Sequence, residues 1–160
     1  MTSSEAGPEH EISRSGGSCR VLLSSVSSDS HTWNLVYLQL LLEELGHEVH
    51  NIGACVPDEL LIAECRRLTP DLVVVSTVNG HGAADGGRLI RRLRAQEDML
   101  RLPVVIGGTF GTRAAAAGTY APELLAAGFT AVFENGSGIR DFCHYVGTVV
   151  MDASLAAGSR

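Results

Sequence analysis

The chain has 160 residues, of which 45% are hydrophobic and 19% charged, and its net charge is −6 at neutral pH. That length supports one domain with a sizeable core. The acidic balance argues against nucleic acid or an anionic membrane as the main partner, since both favour a basic face. No apolar run reaches the roughly 18 residues that a bilayer-spanning helix requires. The N-terminus carries no charged-then-apolar export pattern, so a cytoplasmic location is expected. Cys19, Cys55, Cys65 and Cys143 form no C-x-x-C pair and read as reduced, mostly buried thiols.

Residues 1–18 are rich in Ser, Gly and Glu without apolar periodicity, and are expected to be a disordered leader. A first strand is expected over Cys19 to Val26. After the polar loop Ser28-Asp29-Ser30-His31-Thr32, apolar residues recur at helical spacing from Leu35 to Leu45, and Gly46 marks the stop. Glu48 to Ile52 reads as a second strand. Pro57-Asp58-Glu59 opens a second helix that ends near Leu68, because Pro suits a first turn and acids suit the positive helix end. Asp71 to Thr77 holds an unbroken Leu-Val-Val-Val run, the pattern of a central parallel strand covered on both faces.

A third helix is expected from Ala84 to Gln96. Its arginines, Arg88, Arg91, Arg92 and Arg94, read as a solvated face with Glu97 and Asp98 nearby rather than an anion site. Leu102 to Ile106 reads as the fourth strand, closed by Gly107-Gly108-Thr109-Phe110-Gly111. A short helical turn near Ala114, a helix from Pro122 to Ala127 and a fifth strand from Thr130 to Phe133 come next. The last helix, Ile139 to Met151, follows Gly136-Ser137-Gly138, and residues 152–160 form a flexible tail. The alternation predicts an α/β fold: a Rossmann-like (flavodoxin-like), doubly wound, five-stranded parallel sheet of order 2-1-3-4-5, spanning 19–151. Such sheets bind ligands outside the C-terminal strand ends, at the switch between strands 1 and 3.

The loops after strands 1, 3 and 4 have the unusual composition. They are Ser28-Asp29-Ser30-His31-Thr32, then Ser76-Thr77-Val78 followed by Asn79-Gly80-His81-Gly82, then Gly107 to Gly111. An acid two residues before a histidine can orient the ring for metal ligation. Glycines admit a ligand close to the backbone, and small hydroxyls supply hydrogen bonds without bulk. His81, flanked by glycines, reads as exposed, and His47 and His50 as surface residues.

These motifs resemble the cobalamin-binding domain of corrinoid-dependent mutases and methyltransferases, whose signature is D-x-H-x-x-G, then S-x-L, then G-G. Here they stand as Asp29-Ser30-His31-Thr32-Trp33-Asn34, Ser76-Thr77-Val78 and Gly107-Gly108, and the likeness extends from Arg20 onward. Within the family, the small (sigma) subunits of glutamate mutases (methylaspartate mutases) are most similar. Two positions depart: Asn34 replaces Gly, and Val78 replaces Leu. Asn34 and Trp33 either narrow the passage of the cofactor's nucleotide tail or supply it with a new contact.

The resemblance implies that His31 is the lower axial ligand to cobalt, with Asp29 accepting a hydrogen bond from its other ring nitrogen. It implies that Ser76 contacts the buried dimethylbenzimidazole tail, that Thr77 and Val78 line its channel, and that Gly107, Gly108, Thr109, Phe110 and Gly111 line the nucleotide end. Ser28, Ser30 and Thr32 complete the cofactor loop. The cofactor implied is adenosylcobalamin. The function implied is that of the cobalamin-binding small subunit of a carbon-skeleton mutase interconverting glutamate and 3-methylaspartate. This chain would be inactive alone, with no catalytic residue of its own, and would dock on a larger catalytic subunit that holds the amino-acid substrate. The alternatives are a corrinoid methyl carrier of a methyltransferase, which usually has a helical cap in place of the leader, and a non-enzymatic cobalamin sensor. A phosphoreceiver is disfavoured because Ser76 stands where its phosphorylated Asp would be. A dinucleotide site is disfavoured because no G-x-G-x-x-G follows strand 1.

Overall fold

Leu72–Thr77 is buried at every position and forms the central strand, β3. Its side chains alternate between two cores, as strand geometry requires. Val73 and Val75 pack in one core with Leu22 and Ile106, and Leu72 and Val74 in the other with Val21, Leu23 and Val105. A run apolar at successive positions is thereby satisfied on both faces. The computed structural model describes residues 17–111, 119–134 and 138–159.

Around β3 lie β1 (Arg20–Ser24), β2 (Glu48–Asn51), β4 (Val104–Gly108) and β5 (Ala131–Glu134). All pairings are parallel, and the order is β2-β1-β3-β4-β5, as expected from the sequence. The helices are α1 (Trp33–Glu44), α2 (Asp58–Leu68), α3 (Gly82–Arg94), α4 (Ala121–Ala127) and α5 (Gly138–Gly158). Residues of α2, α3 and α4 supply Leu61, Ile62, Leu89, Ile90, Leu93 and Leu124 to the first core. Residues of α1 and α5 supply Leu35, Leu42, Phe142, Val146, Val149 and Val150 to the second. β1 and β3 are paired neighbours, but the chain leaves β1 for α1 on one face and β3 for α3 on the other, and this opens the crevice at their C-terminal ends.

Several expectations shift. Helix α5 continues seven residues past Met151, through Gly158, so the segment assigned to a tail is helical where described. Its Asp-Ala-Ser-Leu-Ala-Ala run contains no Pro or Gly to stop it. The helix-3 arginines are not simply solvated. Arg88 pairs with Asp58 and Asp85, Arg92 pairs with Asp58 and Glu59, and Asp98 pairs instead with Arg66. Arg94 turns inward and donates to the carbonyls of Gly128, Met99 and Leu102 at 3.0, 2.7 and 2.8 Å. Those bonds satisfy carbonyls at the turns before β4 and β5.

His47 is half-buried rather than a surface residue, accepts a hydrogen bond from the Cys19 N–H at 3.3 Å, and is held below its ordinary pKa by desolvation. Cys19 and Cys65 are buried, and burial pushes their thiols up to about 11 and about 12. Cys55, in contrast, is exposed, with a left-handed φ of 52°. The leader (1–16), the turn near Ala114 and the Gly136-Ser137 approach lie outside the described residues. No described helix is long and apolar enough to cross a membrane.

Candidate functional site

Asp29 lies in the loop between β1 and α1 with no exposed surface. One carboxylate oxygen accepts from the His31 backbone N–H at 3.0 Å and meets His31 Nδ1 at 2.6 Å. The other accepts from the Thr77 hydroxyl at 2.7 Å and from the Val78 N–H at 2.8 Å. Its own carbonyl accepts from Cys55 N–H at 2.8 Å. Burial acts to raise the Asp29 pKa, but the bonds from His31, Thr77 and Val78 together outweigh it and hold the carboxyl below its ordinary value.

An ionised acceptor requires that Nδ1 of His31 carry the proton, which leaves the Nε2 lone pair available. The His31 side chain is 48% exposed, and no described residue partners Nε2. Among the described residues no three His, Cys, Asp or Glu groups converge as a metal cage. His31 can therefore contribute one ligand to a metal that arrives already held by other donors.

Because the folded pKa of Asp29 is depressed, its bonds stabilise the fold above the unfolded carboxylate value of about 3.9. That contribution is lost as pH falls through the folded value. Replacing Thr77 with Val keeps the shape and removes one donor to a charge. A loss of about 1.5–3 kcal/mol at neutral pH is expected. Urea midpoints measured against pH should show the largest loss at neutral pH and a smaller one in acid, where Asp29 is protonated in both proteins.

A cavity of about 320 Å³ opens on the α1/α5 face of the sheet, within the lower range of ligand-sized pockets, roughly 300–1,000 Å³. It is walled by Trp33, Asn34, Tyr37 and Leu38 from α1, by Val74, Ser76 and Val78 around the end of β3, and by Val105, Gly107, Gly108 and Thr109 around β4. Phe133, Ile139 and Phe142 close the far side. Asn34 Nδ2 donates to Ser76 Oγ at 2.7 Å, and both residues are about 5% exposed. The Asn34 amide oxygen is buried and has no hydrogen-bond partner among the described residues.

The structure divides the residues singled out in the sequence. Ser76, Val78, Gly107, Gly108 and Thr109 line the cavity. Thr77 does not. Strand alternation sends Ser76 to the α1/α5 face and Thr77 to the opposite face, where its hydroxyl anchors Asp29. Phe110 is 1% exposed and packs in the core beneath α2, α3 and α4, so it does not line the ligand space. Gly111 likewise lies outside the cavity, where an added Cβ would meet the Tyr120 hydroxyl at 2.3 Å. Ser28 faces Asp85, to which it donates, and accepts from Asn79 Nδ2 at 3.0 Å. Ser30 and Thr32 are exposed beside His31, and His81 is exposed as expected.

Sequence reasoning missed the supports of the loop. Arg88 donates to Ser27 Oγ at 2.9 Å while held by Asp58 and Asp85. Gly82 lets α3 approach Thr77, since a Cβ there would fall 2.6 Å from Thr77 Cγ2. The acid-rich start of α2 and Asp85 in the first turn of α3 were the visible signals.

A parallel 2-1-3-4-5 sheet with a carboxylate-backed histidine and a ligand-sized cavity at its switch point defines a flavodoxin-like ligand-binding domain. Residues 19–138 match the B12 binding domain family, and the chain belongs to it. It is 28% identical over 118 residues to the glutamate mutase sigma subunit of Halobacterium salinarum, covering 74% of this chain and 78% of that one. With the sigma subunit of Fusobacterium nucleatum it shares 29% over 93 residues, 58% of this chain and 68% of the other. It is also 32% identical over 93 residues to the HTH-type transcriptional repressor CarA of Myxococcus xanthus, where the match covers 56% of this chain but only 30% of the repressor.

Among solved structures, a cobalamin-binding protein from Desulfitobacterium hafniense superposes with a TM-score of 0.59 at 20% identity, covering 74% of this chain and 53% of that one. A LuxR-family response regulator from Aurantimonas sp. SI85-9A1 gives 0.62 at 19%, covering 85% and 87%. At these identities the structural likeness shows the fold alone. The chain is thus a cobalamin-binding domain with a doubly wound fold.

Proposed function

We propose that the chain is the cofactor-binding small subunit of an adenosylcobalamin-dependent carbon-skeleton mutase of the glutamate mutase type. The carrying observation is the Asp29–His31 pair, in which Nδ1 faces a buried carboxylate and Nε2 has no partner among the described residues. His31 binds cobalt through Nε2, and Asp29 fixes the tautomer and raises the basicity of the ring. The residues present fit such a group. The single histidine suits a metal already held in a macrocycle, and the cavity beneath the loop suits a displaced nucleotide tail. When bound, adenosylcobalamin supplies radical chemistry through homolysis of its Co–C bond; the protein's part is to bind and orient. Ser76, Val78, Gly107, Gly108 and Thr109 shape the tail cavity, while Ser30 and Thr32 flank the ligand histidine.

The sigma subunits support the mutase reading because the likeness extends over 68% and 78% of their lengths. The reaction needs a second, larger subunit to enclose the amino-acid substrate. Trp33, Val36, Tyr37 and Leu40 form an exposed apolar stripe along α1, each more than half exposed. Trp33 and Tyr37 also wall the cavity, so a subunit that covers the cofactor covers the stripe as well. Leu40→Glu is expected to weaken association with the large subunit at least tenfold, since it buries a charge at an apolar contact, and to leave the corrinoid spectrum of the small subunit unchanged. Sedimentation of the mixed subunits and a cobalamin titration check the two halves.

The match to the transcriptional repressor favours a second reading, in which the same domain reports cobalamin to a regulatory partner. Adding adenosylcobalamin, a glutamate mutase large subunit and L-glutamate separates the two. Formation of 3-methylaspartate supports the mutase, and a bound cofactor without turnover in that reconstituted mixture supports the sensor.

A further inference from the structure

The carboxylate behind His31 is delivered by a turn that is anchored from a neighbouring helix. Residues 25–32, between β1 and α1, belong to no strand or helix. Within them Val26 to Asp29 form a β-turn, closed by the Asp29 N–H on the Val26 carbonyl at 3.1 Å, with Ser27 and Ser28 at its two central positions. Both serine hydroxyls are held from α3. Arg88 Nη2 donates to Ser27 Oγ at 2.9 Å, and Ser28 Oγ donates to Asp85. Asn79 Nδ2 adds a bond to Ser28 Oγ at 3.0 Å. Arg88 is itself fixed. Its Nη1 donates to Asp85 at 2.6 Å, and its Nε and Nη2 grip the buried Asp58, the first residue of α2, at 2.8 and 3.2 Å. One planar guanidinium on α3 thus joins the turn to the start of α2, a geometry that a lysine ammonium cannot reproduce.

We propose that Arg88 and Asp85 are positioning residues for His31, acting through Ser27 and Ser28 to fix the turn that presents Asp29. The inference rests on the cobalamin reading and adds to it what sets the strength of His31 ligation. On that reading His31 competes for cobalt with a base tethered to the same cofactor, which acts at high effective concentration. A loop that becomes ordered only on binding loses conformational entropy at that moment, and a loop ordered beforehand does not. The bonds from Thr77 and Val78 fix the Asp29 carboxylate, and the Cys55 N–H fixes its carbonyl. The clamp on the two serines fixes the remaining freedom, the path of the chain from β1 into Asp29. Among the described residues Arg88 and Asp85 make no hydrogen bond to Asp29 or His31, so their effect on the metal passes through the turn.

The test is an absorbance titration of the whole chain with cobalamin, reading the affinity for the histidine-ligated form, beside a urea midpoint for each protein. The proteins are wild type, Ser27→Ala with Ser28→Ala, Ser27→Thr with Ser28→Thr, Arg88→Lys, and Arg88→Lys added to the alanine pair. Lysine keeps a cation beside the buried Asp58, so the fold is retained while the fork to Ser27 is lost. The alanine pair and Arg88→Lys are each expected to weaken histidine-ligated binding about tenfold, as loss of a group supporting a metal ligand does. The threonine pair, which keeps both hydroxyls, is expected to bind as wild type. Combining Arg88→Lys with the alanine pair should lower the urea midpoint further but the affinity no further, because both changes break the same link. Wild-type affinity in the alanine pair or in Arg88→Lys, a threonine pair as weak as the alanine pair, or a further loss of affinity in the combination overturns the proposal and leaves the cobalamin reading standing. If wild type itself gives no histidine-ligated spectrum, the cobalamin reading fails and this inference fails with it.

Discussion

Replacing His31 with alanine is expected to abolish protein ligation of cobalt and to leave the fold intact. The side chain is 48% exposed and its only described partner is Asp29. In the variant, Asp29 still accepts from the residue-31 backbone N–H, from Thr77 and from Val78, so the loop keeps its anchor. A stability loss of about 1.5 kcal/mol is expected, because the buried carboxylate gives up one donor to its charge and keeps three. Loss of an outer-shell partner alone typically costs about 10–100-fold in metal affinity, and loss of the ligand should cost at least that. Titration with cobalamin followed by absorbance should show the histidine-ligated, base-detached spectrum in wild type and its absence in His31→Ala. A cooperative thermal melt in the variant, only a few degrees below wild type, would confirm that the effect is local.

Gly108→Ala should have the largest effect on stability. Gly108 ends β4 with φ at 127°, and a Cβ added there would fall 1.9 Å from the Thr77 carbonyl oxygen and 3.0 Å from its carbon. The obstacle is backbone in the central strand, so no side-chain rotation relieves it. The strain of the φ region alone is worth about 1–3 kcal/mol, and separating β3 from β4 adds to it. The same shift moves Thr77 and Val78, which hold Asp29. A loss of about 4 kcal/mol or more is expected from urea denaturation, at the upper end for single substitutions.

Its neighbour provides the control. At Gly107 an added Cβ would lie 3.5 Å from the Phe133 carbonyl oxygen and 3.6 Å from its Cβ, which is ordinary contact. Gly107 lines the cavity. Gly107→Ala should therefore cost about 1 kcal/mol or less in stability while weakening corrinoid binding. Both glycines line the cavity, but only Gly108 is also required by the close approach of β4 to β3.

The sheet was legible because its strands announce themselves. The Leu72–Val75 run and the shorter Val-rich runs can be buried on both faces only in a parallel sheet with helices on each side. The Asp29–His31 contact was legible because an acid and a histidine two apart in a polar loop have few structural uses. What could not be read was which face each loop residue takes. Ser76 and Thr77 look equivalent in a serine-threonine pair, yet alternation places one at the cavity and the other under Asp29. Phe110 follows the glycines but turns into the core. The roles of Arg88 and Arg94 depend in part on the Asp58 carboxylate and the Gly128 carbonyl, 30 and 34 residues away in sequence, beyond the reach of local pattern.

Ligation of cobalt by His31 is tested most directly by electron paramagnetic resonance of cob(II)alamin bound to protein uniformly labelled with nitrogen-15. The unpaired electron couples to the lower axial nitrogen, whichever molecule supplies it. Ligation by His31 predicts that the superhyperfine pattern changes from triplet in unlabelled protein to doublet in labelled protein, and that His31→Ala loses the labelled coupling. A triplet that persists in labelled wild-type protein would show that the cofactor's own base remains on cobalt and would contradict the account.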